Sequence, residues 1–300
     1  MRQFASTAQA YARLPPSITH GSPGDQYAAW LPYHHIERYS NRPMAAQPRH
    51  IAETWFAESV GSWYPLLYAH RNLESAAPEA AFAAYHLNLS ANDNLFDLCC
   101  GAGRHLAHLA PLVRSATGLD FSPDLLAIAS RTLRGSVRLV RADMRHIPFQ
   151  EAFDAATCFF TSFGYFQNQN QNIDAIREFA SSLRTGGRFF IDHVNAAHVR
   201  RFLQPRSERT LQQYRVTDER WIDQTTMRVN KQTTVTHGDD VVARFGESVR
   251  LYAPGEFLTM LADAGLLVDA MYGAYQSDTP WDSTDDAGLS PRMIAVGKRA

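Results

Sequence analysis

Residues Leu95–His105 read LFDLCCGAGRH, an apolar run that ends in two cysteines and a Gly-Ala-Gly turn. A short apolar strand, a glycine turn and then the amphipathic RHLAHLAPLV predict a strand–turn–helix unit whose turn lets a ligand approach the backbone. The helix N-terminus behind such a turn favours anions, so a phosphate is one occupant to weigh. Two details oppose it. A dinucleotide fingerprint needs a third glycine, and after Gly101 and Gly103 that position holds Leu106. No Gly-Lys-Ser/Thr follows either, which removes the phosphate loop of nucleotide triphosphatases. Asp97 lies inside the strand just before the turn, where a carboxylate suits a ligand carrying a cation.

Outward from the turn, strand and helix alternate. SATGLD is a strand, and SPDLLAIASRTLR a helix with Ser122 as N-cap and Pro123 at its first position. VRLVRAD and FDAATCFFT are strands, NIDAIREFASSLR a helix, and RFFIDHV a strand after Thr-Gly-Gly. This alternation predicts parallel βαβ units with right-handed crossovers. Three successive strands each deliver an acid near the C-terminal edge: Asp97, Asp120 and Asp143. Ligands of open α/β sheets bind at that edge. A nucleoside with a positively charged amino-acid tail suits three carboxylates better than a pyrophosphate does.

These stretches, taken together with VRADMRHIPF, FDAATCFFTSFGYF and LRTGGRFFIDHVN, resemble the ordered motifs of class I S-adenosylmethionine-dependent methyltransferases. The likeness runs from Leu95 to Asn195 and includes the terminal helix and two strands. SWYPLLYAHRN is similar to the helix that precedes the first motif in bacterial members acting on small molecules. The resemblance implies a Rossmann-like, doubly wound, mostly parallel seven-stranded sheet and S-adenosyl-L-methionine as cofactor. It places Asp97, Gly101 and Gly103 on the methionine part and Asp120 on the ribose hydroxyls. Phe121 would stack on or flank the adenine, Asp143 accept its amino group, and the Met144 backbone read the ring edge. Phe159, Phe160 and Thr161 would form the floor beneath the methyl group. Tyr68 and Arg71 either close over the cofactor carboxylate or pack the helix they sit on.

Acceptor residues should come from the C-terminal ends of the fourth and fifth strands, the N-terminal lid and the inserted meander, which nominates Thr161, Ser162, Tyr165, Asp192 and Asn195. His193 ends a strand and titrates near neutrality, so it is the candidate base, ahead of His70 and His237. Adjacent Cys99 and Cys100 on a strand would point to opposite faces and serve as small packing thiols. No histidine or cysteine spacing matches a metal site.

The remaining organisation is coarser. Residues 1–50 are proline-bearing and aromatic, and read as an N-terminal extension or lid ahead of a methyltransferase domain over 51–300. Pro65 and Pro78 should divide the following segment into short helices. From about residue 205 to 252, alternating polar and β-branched residues predict an antiparallel meander inserted in the α/β domain. Its edges can pair across subunits, which allows a homodimer. Net charge is −1, from 29 basic and 30 acidic residues, so nucleic acid or an anionic membrane is not expected as a partner. Three cysteines, no signal-type apolar core and no membrane-length run point to a reducing cytoplasm. The expected activity is methyl transfer to an oxygen, nitrogen or carbon of a small-molecule acceptor. A non-catalytic cofactor-binding subunit, and a macromolecular methyltransferase using the arginines of HVRRFLQPRSER (198–209), are the alternatives.

Overall fold

The computed structural model describes residues 51–58, 61–277, 280–281 and 290–300. The extension or lid expected over 1–50 lies outside the described residues. The chain opens with α1 (Trp55–Glu58), α2 (Tyr64–Leu67) and α3 (Leu73–His86). Next come β1 (Asn94–Leu98), α4 (Leu106–Leu109), β2 (Ser115–Asp120), α5 (Pro123–Leu133), β3 (Arg138–Arg141) and β4 (Phe153–Cys158). They are followed by α6 (Gln169–Ser182), β5 (Leu183–Val194) and α7 (Ala196–Phe202). A meander of β6 (Arg206–Leu211), β7 (Tyr214–Asp223), β8 (Arg228–His237) and β9 (Asp240–Arg250) precedes α8 (Pro254–Asp263), β10 (Leu266–Tyr272) and β11 (Arg292–Arg299).

Seven strands form the main sheet in the order β10-β11-β5-β4-β1-β2-β3. β1 pairs parallel with both β2 and β4, while β11 runs antiparallel between β5 and β10. Connections diverge from β1 and β4, so a crevice opens beyond the C-terminal ends of those two strands. β1 is apolar on both faces, as a strand covered by helices on each side must be, with Leu95 and Phe96 fully buried. Phe96 stacks on Phe153 at 4.8 Å beneath Phe179 of α6.

The helices show how local chemistry and packing compete. Ser122 caps α5 by accepting a hydrogen bond from the Leu125 amide, with Pro123 in the first turn. Pro78 does not break the chain as expected but sits inside the 14-residue α3. It removes one backbone bond near the N-terminus, where the Asn72 cap and the buried Ala76, Ala80 and Ala83 hold the helix together. Conversely, RHLAHLAPLV yields only the four-residue α4 before Pro111 tightens it into a 3₁₀ turn. β1 also ends at Leu98, so Cys99 and Cys100 lie in the turn rather than on the strand, and Cys99 takes a left-handed φ of 57°.

β6–β9 make a separate antiparallel sheet. Arg228 at the start of β8 fastens it to the main domain. Its guanidinium donates to the carbonyls of Phe166 (2.8 Å), Gly164 (3.0 Å), Tyr165 (2.7 Å) and Ser248 (2.8 Å). Three of those carbonyls belong to the loop after β4, so the inserted sheet and the crevice share one clasp. Among the described residues no helix is long and apolar enough to cross a membrane.

Candidate active site

The crevice beyond β1 and β4 continues into a cavity of about 200 Å³ roofed by α1, α2, the segment after α2 that carries Tyr68 and Arg71, and β9. Its floor begins at Asp97, which is buried and receives the Thr157 hydroxyl on Oδ1 at 2.7 Å. Oδ2 is buried on the cavity wall with no partner. Burial pushes this carboxyl up to about 7, against the opposing pull of Thr157 and Arg104. The turn beyond it needs its glycines. Gly101 and Gly103 have φ of 55° and 78°, and a Cβ on Gly103 would stand 2.8 Å from Leu133 Cδ1. Cys100 packs on β2, where a Cβ on Gly118 would stand 2.7 Å from its Sγ. Burial raises both turn thiols well above the ordinary range, so they are inert packing groups.

Asp120 at the end of β2 accepts the Gly101 amide on Oδ2 and the Ser122 amide on Oδ1, each at 2.8 Å. It therefore fixes the turn while each oxygen keeps a lone pair on the cavity side. Phe121 and Met144 line the same wall, with Phe121 edge-on to Phe56 at 5.8 Å. Asp143 does not line it. The Arg145 side chain grips that carboxylate in a fork, with contacts of 2.6–3.1 Å. Burial opposes the Asp143 charge, but the Arg145 hydrogen bonds outweigh it and hold the group below its usual value. Asp143 is thus held in an ion pair with Arg145 outside the cavity lining, and Met144 is the part of this motif that faces the cavity.

Phe159, Phe160, Thr161, Ser162 and Tyr165 follow β4 and all line the cavity. Phe160 and Thr161 both take left-handed φ, 57° and 60°, strained for side chains of this size. Asp192 compensates: its Oδ2 accepts the Phe160 amide (2.9 Å) and the Tyr275 hydroxyl (2.6 Å), and its backbone oxygen the Thr161 amide (2.8 Å). Arg292 of β11 completes the brace, donating to Asp192 Oδ1 at 2.6 Å and to Thr161 Oγ1 at 2.8 Å. Asp192 is consequently a strut beneath the floor, not an acceptor contact. Asn195 is also displaced from the site: it caps α7 through the Ala197 amide and donates to the Ser290 carbonyl.

His193 is not placed as a base. Its ring is fully buried among Phe163, Tyr252 and Phe257, on the other face of β5 from Asp192. Nδ1 contacts the Val194 carbonyl at 3.0 Å, Nε2 has no partner, and burial drives the imidazole down to about 4. His237 lies at the far end of β8, and His70 beside Tyr68 is outside the cavity lining.

The roof brings Tyr68 and Arg71 to the cavity together with residues that sequence reasoning missed. The Arg71 guanidinium sits over the Tyr68 ring at 4.7 Å and the Phe160 ring at 5.1 Å, and its buried Nε has no partner. The Tyr68 hydroxyl donates to Oε1 of Glu247 from β9 and receives Lys231 Nζ from β8 at 3.0 Å. Arg104 and His105, just after the turn, both bind Glu79 Oε2, at 2.8 and 2.7 Å. His105 is stacked on Phe159 at 3.8 Å, and burial holds it well below its usual value, hence neutral. Trp55, Phe56 and Tyr64 add aromatic faces. Their only sequence signal was an aromatic-rich helical segment, and for Glu247 and Lys231 it was the expectation that the inserted meander contributes to the acceptor site, without naming a residue.

The donor set fits an aminoacyl nucleoside with a cationic end. An ammonium suits the orphaned Asp97 Oδ2, a carboxylate the orphaned Arg71 Nε, ribose hydroxyls Asp120, and a base the Phe121–Met144 wall. No group of three or more His, Cys, Asp or Glu that could hold a metal ion occurs among the described residues.

Fold and site together define a class. Residues 95–187 match the methyltransferase domain family, and the chain has the fold of S-adenosylmethionine-dependent methyltransferases. Its relatives narrow the neighbourhood. The chain is 33% identical over 135 residues to the dTDP-3-amino-3,6-dideoxy-alpha-D-glucopyranose N,N-dimethyltransferase of Streptomyces fradiae. That alignment covers 44% of this chain and 52% of the relative, so the match spans about half the relative's length. The CcbJ methyltransferase of Streptomyces caelestis superposes with a TM-score of 0.69 at 18% identity, over 83% of this chain and 100% of that one. CalS10, an amino pentose methyltransferase of Micromonospora echinaspora solved with S-adenosylmethionine bound, gives 0.58 at 21% identity, over 89% and 100%.

Proposed function

We propose that this protein is an S-adenosylmethionine-dependent methyltransferase acting on a small molecule, and that an amino group is the acceptor. The orphaned, buried Asp97 Oδ2 beside the glycine turn is the observation that carries the cofactor reading. When bound, the cofactor supplies a methyl group on a sulfonium, which needs alignment and exclusion of water more than covalent help. Asp97 and Arg71 hold the two ends of the aminoacyl tail, while Asp120 and the Phe121–Met144 wall hold the nucleoside. Phe160 and Thr161 set the floor at the reacting centre. The enclosed aromatic roof favours a small acceptor, and the near-zero net charge disfavours nucleic acid. The Streptomyces fradiae and Micromonospora relatives are named for methylating amino sugars, which makes aminodeoxy sugars the first acceptors to test. We place the protein in a reducing cytoplasm, in keeping with three free cysteines, and as a homodimer through the open edges of its inserted sheet.

Calorimetric titration with S-adenosylmethionine tests the reading. Binding by the wild-type chain, lost by at least tenfold in Asp120→Ala, is the expected result. No heat of binding, or an unaffected Asp120→Ala, would sink it.

A further inference from the structure

Three carboxylates line the cavity, Asp97, Asp120 and Glu247, and among the described residues Asp97 and Glu247 each keep one oxygen free of hydrogen bonds. Asp97 is at the glycine turn. Glu247 descends from β9 of the inserted sheet, half-buried on the roof. Lys231 Nζ approaches Glu247 Oε1 at 2.5 Å, and the Tyr68 hydroxyl donates to the same oxygen. Among the described residues no hydrogen bond falls on Glu247 Oε2. Two buried donors thus pin the carboxylate through one oxygen and leave the other presented.

Glu247 shares the cavity lining with four aromatic rings, those of Trp55, Tyr64, Tyr68 and Tyr165. Trp55 and Tyr165 lie 4.8 Å apart between ring centres, and Tyr64 and Tyr68 5.1 Å apart. Aromatic faces around a carboxylate recognise an amine, and they stabilise it further once it becomes cationic. The rival proton acceptor on the wall, His105, is already tied to Glu79 and stacked on Phe159. Tyr165 lines the same cavity, its ring 4.8 Å from that of Trp55.

We propose that Glu247 is the acceptor-binding and proton-accepting residue, and that the acceptor is a primary or secondary amine entering from the inserted sheet. This rests on the methyltransferase reading above. A neutral amine donates its N–H to Glu247 Oε2, which turns the nitrogen lone pair toward the floor. The nitrogen forms its bond to the methyl carbon as the carbon–sulfur bond breaks and its electron pair stays on sulfur. The nitrogen, now positively charged, releases one proton to Glu247 Oε2. The products are the N-methyl amine, the neutral thioether and a protonated Glu247. Lys231 and Tyr68 are positioning residues for the carboxylate.

The test uses the purified full chain, with cofactor binding by calorimetry and methyl transfer by mass spectrometry. The probes are dTDP-3-amino-3,6-dideoxy-alpha-D-glucopyranose, its 3-hydroxy counterpart, and the simple amines phenethylamine, tryptamine and cadaverine. The expected result is transfer to at least one amine and none to the hydroxyl counterpart. Glu247→Gln should lower kcat/KM about 100-fold or more with cofactor Kd within twofold of wild type, and Glu247→Asp should recover part of the rate. Should Glu247→Gln fold poorly once Lys231 loses its carboxylate, the double variant Lys231→Met/Glu247→Gln removes the pair together and should show the same loss. Cofactor binding without transfer to any of the amines overturns the proposal. So does preference for the hydroxyl probe, or a Glu247→Gln rate within threefold of wild type. Failure of the wild type to bind cofactor at all instead overturns the methyltransferase reading on which it stands.

Discussion

Asp97 shows what one carboxylate costs and gains by being sealed under a sheet. In the free protein, burial pushes it to about 7, so near neutrality it is partly protonated. Pairing with a cation at Oδ2 favours the ionised form, so binding must expel that proton. Cofactor affinity should therefore fall as pH drops below about 7, approaching about tenfold per pH unit. Titrations in buffers of differing ionisation enthalpy should show proton release, and Asp97→Asn should bind weakly with no such slope. His193 works in the opposite sense and on stability. Its folded value near 4 lies below the ordinary 6.5, so the unfolded chain takes up a proton that the folded chain refuses. Stability should decline as pH falls from about 6.5 to 4, by up to about 3 kcal/mol from this group. Urea melts across that range, with His193→Phe as the flattened control, check it.

At the scale of elements, the clasp between the inserted sheet and the loop after β4 dominates. Arg228 serves four carbonyls and the Ser248 hydroxyl from a buried position. Arg228→Met keeps the volume but strands those oxygens, each costing on the order of 1 kcal/mol or more. A loss of about 3 kcal/mol in denaturant midpoint stability, together with weaker cofactor binding, is expected. Unchanged stability would mean that water replaces the guanidinium. Here also lies the boundary of what the sequence disclosed. The strand–turn–helix run, the Ser122 cap and the acids ending β1 and β2 were legible because each obeys a local rule. The ion pair of Asp143 with Arg145 was not, because nothing in the local pattern says which way a side chain two residues on will turn. The roles of Asp192 and His193 depend on which face of β5 each meets, a parity that alternation alone leaves open. Glu247, Lys231 and Arg228 look like solvent-facing strand positions, and only the docking of the second sheet buries them.

For the whole molecule, the cavity is assembled from both sheets, the first two helices and the segment that follows them, so occupancy should report globally. A ligand at 100 times its Kd adds about 2.7 kcal/mol to stability. S-adenosylmethionine at that excess should raise the melting temperature by several degrees in scanning fluorimetry, and adenosine at the same molar concentration by clearly less. Equal shifts from both ligands would show that Asp97 and Arg71 do not engage the aminoacyl tail.

The brace on the Phe160–Thr161 turn carries a consequence for biosynthesis. β11 slots between β5 and β10, yet it follows every other described strand along the chain. Its Arg292 secures Asp192 and Thr161, so the strained floor is locked only after residue 292 has left the ribosome. The floor of the cavity therefore waits on a side chain 100 positions beyond Asp192 and 131 beyond Thr161.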